Sequence, residues 1–226
     1  MSQEGSEPQF ELSGGALCLD FVNTLGDRPR CLHERLHAYD DLLRWAAQAG
    51  VLDARALKRQ RQRAARQPRP ARAALSRALR LREALYRVFA ARLRTQRPGA
   101  ADLAVVNEAL RRALPRQRLA PRGDAMEWEW DGSGEMEFPL WPVARSAADL
   151  LVSPDASRVQ ECASEVCSWL FVDRSPGARR RWCDMKSCGN RAKARRFYER
   201  RRVRAPDGRT DSPLAASASG RRAARS

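Results

Sequence analysis

Four cysteines carry the clearest chemistry in the chain. Cys162, Cys167, Cys183 and Cys188 read C-x4-C, fifteen residues, then C-x4-C. Two close pairs joined by a loop can each take one side of a tetrahedral zinc ion. Thiolates bind zinc strongly, and the protons they give up make binding pH-dependent. Four sulfur ligands leave no open position, so the expected Zn2+ is single and structural, with no catalytic role. Two disulfides are the competing reading. They suit an exported protein, whereas the start MSQEGSEPQF lacks the basic and apolar regions of a secretory signal. Gly189, directly after the last cysteine, is expected to serve a tight turn at positive φ.

A second motif is His33-Glu34-Arg35-Leu36-His37, which spells H-E-x-x-H and holds both histidines of the chain. On a helix, His33 and His37 would share a face and Glu34 could act as the general base of a zinc metalloprotease. A third histidine is missing, and Arg35 puts a cation inside the motif. Packed or surface histidines are the favoured reading, with the protease a distant alternative. Cys18 and Cys31 are expected to be inert thiols. Asp20, Asn23 and Thr24, in the stretch from Gly14, could line an effector pocket, but cap or turn roles are preferred for Asp20 and Asn23.

Charge placement adds a partner. The 226 residues hold 43 basic and 27 acidic side chains, a formal net charge of +16. Arginine outnumbers lysine 40 to 3, so compositional bias makes the total weak evidence. Its distribution is more informative: residues 1–154 carry net +6, 155–173 net −3, 174–204 net +11 and 205–226 net +2. Asn190 can cap a helix over about 191–204. Its Arg191, Lys193, Arg195, Arg196, Arg200 and Arg202 are candidate nucleic-acid contacts, most simply to duplex DNA. Ala194, Phe197 and Tyr198 are expected to pack on the zinc module. A solvated basic helix, an RNA-binding module and a protein-interaction finger are the competing readings.

These residues need a scaffold. No run reaches the roughly 18–20 apolar residues of a membrane helix, and a cytoplasmic location is expected. Apolar spacing from Leu32 to Ala46 predicts a helix ending at Gly50. Asp53 caps a second over 54–66. Pro68 and Pro70 separate that from a long third helix with a stripe through Leu75, Leu79, Leu85, Phe89 and Leu93. A fourth covers 101–113. Met126, Trp128 and Trp130 then alternate with acids, and a turn at Asp131–Gly134 suggests a hairpin returning through Met136 and Phe138. A short helix near 143–152 leads to the cysteines. Trp45 is assigned to the core, and Trp169, Phe171 and Trp182 to a mini-core around the metal. The fold class is therefore α+β: a mainly helical N-terminal domain with a β-hairpin (12–154), after a flexible start (1–11). A small four-cysteine zinc module ending in a basic helix (155–204) and a disordered tail (205–226) follow.

The block CASEVCSWLFVDRSPGARRRWCDMKSCGNRAKARRFYERRR resembles the CGNR zinc-finger family, whose signature is Cys188-Gly189-Asn190-Arg191 here. The upstream GGALCLDFVNT and YDDLLRWA resemble the ABATE domain that precedes that finger. The resemblance implies a bacterial, cytoplasmic, stress-induced transcription regulator with one zinc on Cys162, Cys167, Cys183 and Cys188. A helical domain ahead of such a module is expected to dimerise, to sense a small-molecule effector, or both.

Overall fold

A computed structural model describes residues 10–204 except Pro29, Cys31 and Ser133. The tail over 205–226, most of the 1–11 start, and Cys31 therefore lie outside the described residues. Residue 10 departs from the expected flexible start: Phe10 is buried, and its backbone exchanges hydrogen bonds of 2.7 and 2.5 Å with the Gln48 amide.

The described chain up to Asn190 is one compact unit, and the helix from Arg191 is a second. In the first unit, α1 (Leu17–Val22) is followed by β1 (Leu25–Gly26) and β2 (His33–Glu34). Four helices follow: α2 (Tyr39–Gln48), α3 (Ala54–Arg66), α4 (Pro68–Leu93) and α5 (Ala100–Ala113). Then come β3 (Gln117–Arg122), β4 (Ala125–Trp130) and α6 (Leu140–Val152). The unit closes with β5 (Val159–Glu161) and β6 (Leu170–Val172). Among the described residues the class is α+β and mainly helical, with three separate two-stranded antiparallel ribbons.

Local chemistry sets the starts of α2, α3 and α4. The Asp53 carboxylate accepts from Ala56 N–H at 2.6 Å and starts α3. Pro68 and Pro70 stand in the first turn of α4 and do not precede it, because that turn needs no N–H donor there. The buried face of α4 runs through Ala74, Ala78, Leu81, Leu85, Val88 and Phe89, while Leu75 and Leu79 are half-buried beside it. Ala74 and Ala78 keep part of this face small, and α1, α2 and α5 pack against α4. Phe21 and Trp45, both fully buried, meet with ring centroids 5.1 Å apart in the same core.

Two expectations fail. The helix expected from Leu32 begins at Tyr39, because Asp41 Oδ2 accepts from His37 and Ala38 N–H at 2.8 and 2.7 Å and so marks the true start. The residues before it are extended, with Leu25 opposite Glu34 and Gly26 opposite His33. The hairpin is also differently paired. Met126–Trp130 does alternate, but its partner is the preceding segment: Leu119 lies opposite Trp128 and Gln117 opposite Trp130. Met136 and Phe138 instead enter the core from a non-strand turn. The hairpin's apolar face is largely exposed at Leu119, Met126 and Trp128, while Trp130 reaches Trp141 at 6.4 Å.

Candidate metal centre and basic helix

Strands β5 and β6 pair with Val159 opposite Val172 and Glu161 opposite Leu170, and this ribbon carries the first two cysteines. Cys162 N–H donates to Trp169 O at 2.8 Å, extending the ribbon by one bond. A turn closed by Cys167 N–H to Ser164 O at 3.1 Å then brings Cys167 back toward Cys162. The second pair is set by Asp184, whose side chain accepts from Ser187 N–H at 2.9 Å. That bond starts the wide turn Met185–Gly189, which delivers Cys188 beside Cys183.

All four Sγ atoms lie within 4.8 Å of one another and all four cysteines are buried. Cys167 Sγ is 3.6 Å from Cys183 Sγ, and Cys183 Sγ is 3.7 Å from Cys188 Sγ. Zinc–sulfur bonds of about 2.3 Å at tetrahedral angles require sulfurs about 3.8 Å apart. Donor chemistry and spacing therefore both fit zinc, and the cluster holds one structural Zn2+. Without a cation the four thiols cannot ionise together. Hydrogen bonds from the Cys167 and Cys183 thiols hold Cys162 down to about 7, while the Cys162 sulfur pushes Cys167 and Cys183 up. A divalent ion removes that conflict.

Trp169 and Phe171 are buried against the four cysteines, with Trp182 half-buried beside them, as the mini-core reading requires. The loop between the pairs is organised by buried Asp173. Its carboxylate accepts from Ser175 N–H at 2.8 Å, Ser175 Oγ at 2.6 Å and Arg180 N–H at 2.9 Å. Those bonds hold it below the usual carboxylate range. Gly189 does not have the positive φ expected of it; an added Cβ would sit 2.6 Å from Sδ of the exposed, flexible Met185 side chain, which would have to shift.

The N-terminal stretch expected to supply turns or a pocket instead grips the metal module. Asn23 is buried and bonds both main-chain groups of Leu170, at 2.8 and 2.9 Å. Asp27 N–H donates to Cys167 O at 2.8 Å, and Val172 N–H to Gly14 O at 2.8 Å. Asp20 caps no helix end; its carboxylate accepts from Gly14 N–H, six residues earlier, at 2.8 Å. Thr24 is buried and donates to Phe21 O. Asn23 was missed as an inter-segment clasp because its partner is 147 residues away and leaves no local pattern. Cys18 is fully buried, and burial pushes its thiol up to about 12, as suits an inert thiol.

The H-E-x-x-H segment does not form a metal site. His33 and His37 are exposed and not helical. Glu34 binds Arg82 through both oxygens at 2.7 and 2.6 Å and also accepts from Arg35 and Leu36 N–H. Among the described residues, the four cysteines are the one cluster of three or more such side chains that could hold a metal ion. A cavity of about 610 Å³ opens elsewhere, between α4, α5 and α6, floored by Leu81, Val105, Leu140 and Trp141.

The basic helix, α7 (Asn190–Arg204), forms as the sequence predicts. Arg191, Lys193, Arg195, Arg196 and Arg200 are exposed on it; Arg202 lies on the helix, with its side chain outside the described residues. Arg195 is 3.6 Å from Glu199. Phe197 and Tyr198, expected to be buried, are exposed, with ring centroids 5.8 Å apart; Ala194 is exposed as well. The cations occupy positions all round this helix and so leave no continuous apolar edge. At about 100° per residue, Arg191, Arg195 and Arg202 share one side, and Lys193, Arg196 and Arg200 the other.

The chain is thus a zinc-finger protein with a mainly helical domain ahead of its metal centre. Residues 15–154, more than half of the chain, match the ABATE family, described as "Putative stress-induced transcription regulator", and the chain belongs to that family. Residues 158–201 match the CGNR zinc finger. A comparison with curated proteins finds no match. No described helix is long and apolar enough to cross a membrane.

Proposed function

We propose that this protein is a cytoplasmic, DNA-binding transcriptional regulator without catalytic activity. Its domain over 12–154 senses a ligand or dimerises, and its zinc module over 155–204 contacts duplex DNA. The observation that carries this reading is a helix with cations on every side, beginning two residues after the last zinc ligand. A rod with charge on all sides can meet phosphates on both walls of a major groove while one edge faces the bases. Zinc's part is to fix the turn from which that helix starts. The cavity between α4, α5 and α6 supports the sensing role, since an apolar floor beneath charged walls suits a small amphipathic molecule.

The test is selection of the zinc-loaded protein from randomised DNA duplexes at near-physiological salt, with a chelated control and a structured-RNA competitor. Recovery of a shared sequence that disappears on chelation is the expected result. Alanine at Arg191, Arg195 and Arg196 should then weaken binding and flatten its salt dependence. Unchanged affinity and slope in that variant would overturn the reading, and preferential loss to RNA would move the target from DNA to RNA.

A further inference from the structure

Between Asp53 and Glu83 the chain carries eleven basic residues and no carboxylate. This stretch forms α3, the elbow at Gln67 and the first half of α4. Three of the eleven turn to acids elsewhere: Arg61 to Asp40, Arg77 to Glu137, and buried Arg82 to Glu34 and Glu83. The other eight, among them Arg55, Lys58, Arg59, Arg63, Arg66 and Arg69, have no carboxylate partner among the described residues.

Compositional bias toward arginine accounts for the number of cations but not for the absence of any Asp or Glu over 54–82. Elsewhere in the same unit several arginines are matched with acids: Arg87 with Asp102, Arg118 with Glu129, Arg122 with Glu127, and Arg145 with Asp149. Exposed Arg92, Arg94, Arg97, Arg158, Arg179 and Arg181 also lack a carboxylate partner among the described residues, so what sets the elbow apart is its acid-free run and the groove its arginines line. There, Arg59, Arg63 and Arg66 recur at helical spacing and, with Gln62 and Gln67, bound a groove of about 340 Å³ whose charged groups are all cationic. From Arg55 to Arg66 the helix advances about 16 Å, close to the rise of five base pairs at about 3.4 Å each.

We infer that the α3–α4 elbow is a second nucleic-acid contact surface, which takes the phosphate backbone of duplex DNA and reads no bases. This rests on the proposed DNA-binding function and adds a contact within the helical domain itself. Guanidiniums at a spacing of one helical turn suit successive phosphates, and the two glutamine amides supply neutral donors beside them.

The test uses the full-length, zinc-loaded protein and a random-sequence duplex several helical turns long, with affinity measured across a salt series. Glutamine at Arg59, Arg63 and Arg66 together should weaken binding by about tenfold and make the log–log salt slope shallower by about 2–3. These side chains are exposed, so thermal unfolding should not shift. A control variant with glutamine at Arg111, Arg118 and Arg122 removes equal charge from acid-paired positions and should leave the slope nearly unchanged. If the elbow variant keeps wild-type slope while glutamine at Arg191, Arg195 and Arg196 loses affinity, the inference falls and the proposed function stands. An equal loss in the control would overturn it too, because total charge and not placement would then be at work. A wild type that binds no duplex at all removes both.

Discussion

The side-chain amide of Asn23 pairs with both the N–H and the C=O of Leu170, so one buried residue of the N-terminal segment acts as an extra rung on the zinc ribbon. Trp169 and Phe171, which pack against the four cysteines, flank that rung, so the position of two module residues depends on a residue at the far end of the chain.

Asn23→Ala should therefore lower stability by about 2–4 kcal/mol, because it leaves a buried donor and a buried acceptor unpaired at once. Asn23→Asp should cost more, since its carboxylate would face the Leu170 carbonyl. Urea unfolding of the zinc-loaded proteins measures both. An effect below about 0.5 kcal/mol for Asn23→Ala would mean that water replaces the amide.

The metal centre should hold one zinc per chain by elemental analysis, and Cys183→Ser should abolish it. Binding should release protons, and affinity should fall as pH drops, because thiolates must form before zinc can be held. Chelation should lower the melting temperature by about 10 °C or more, given how much folding energy such sites supply. The readout is calorimetry in buffers of different ionisation enthalpy.

Asp20 gives a pH signature of opposite sign to a salt-bridged acid. Burial pushes its carboxyl up to about 6, against the lowering effect of the Gly14 N–H. Between the unfolded value near 4 and this folded value, the native state binds the extra proton, so its contribution to stability declines as pH rises. Asp20→Asn keeps an acceptor for Gly14 and removes the titration. Its stability relative to wild type should rise from near zero at about pH 4 to about 1–2 kcal/mol at pH 7. A pH-independent difference in urea unfolding would contradict this.

Glu34→Gln separates two roles for the H-E-x-x-H segment. As an ion-pair partner of nearly buried Arg82, Glu34 should cost about 2 kcal/mol when neutralised, with zinc content unchanged. A catalytic base would give the reverse: intact stability, a second zinc in the wild type and chelator-sensitive peptide cleavage lost in the variant.

The zinc ligands and α3 were legible because their determinants are local: cysteine spacing in one case, and a capping Asp53 before a helical run in the other. The failures have tertiary causes. Leu32, Leu36 and Tyr39 keep helical spacing, yet Glu34 is drawn to Arg82 and its segment pairs with Leu25–Gly26. The partner of Met126–Trp130 was hidden because QRLAPR has no β-branched residue and holds Pro121, which a two-stranded ribbon with open edges can tolerate. The acid-free stretch between Asp53 and Glu83 was visible in the sequence. Its meaning needed the ion pairs that surround it.

The rung between Asn23 and Leu170 also sets an order of events during synthesis. Helix α1, with fully buried Cys18, Leu19, Phe21 and Val22, leaves the ribosome 147 residues before the strand its neighbour clasps. At about 5–20 residues per second, that segment waits roughly 7–30 s for β6. It must also wait for α6, against which it packs. Trp45 and α4 can cover part of α1 early, but its α6 and β6 contacts are missing through most of translation, and closure of so long a loop falls late in folding. Nascent chains stalled before Leu140 should therefore bind chaperones through their first thirty residues, and release should follow once the cysteines have emerged.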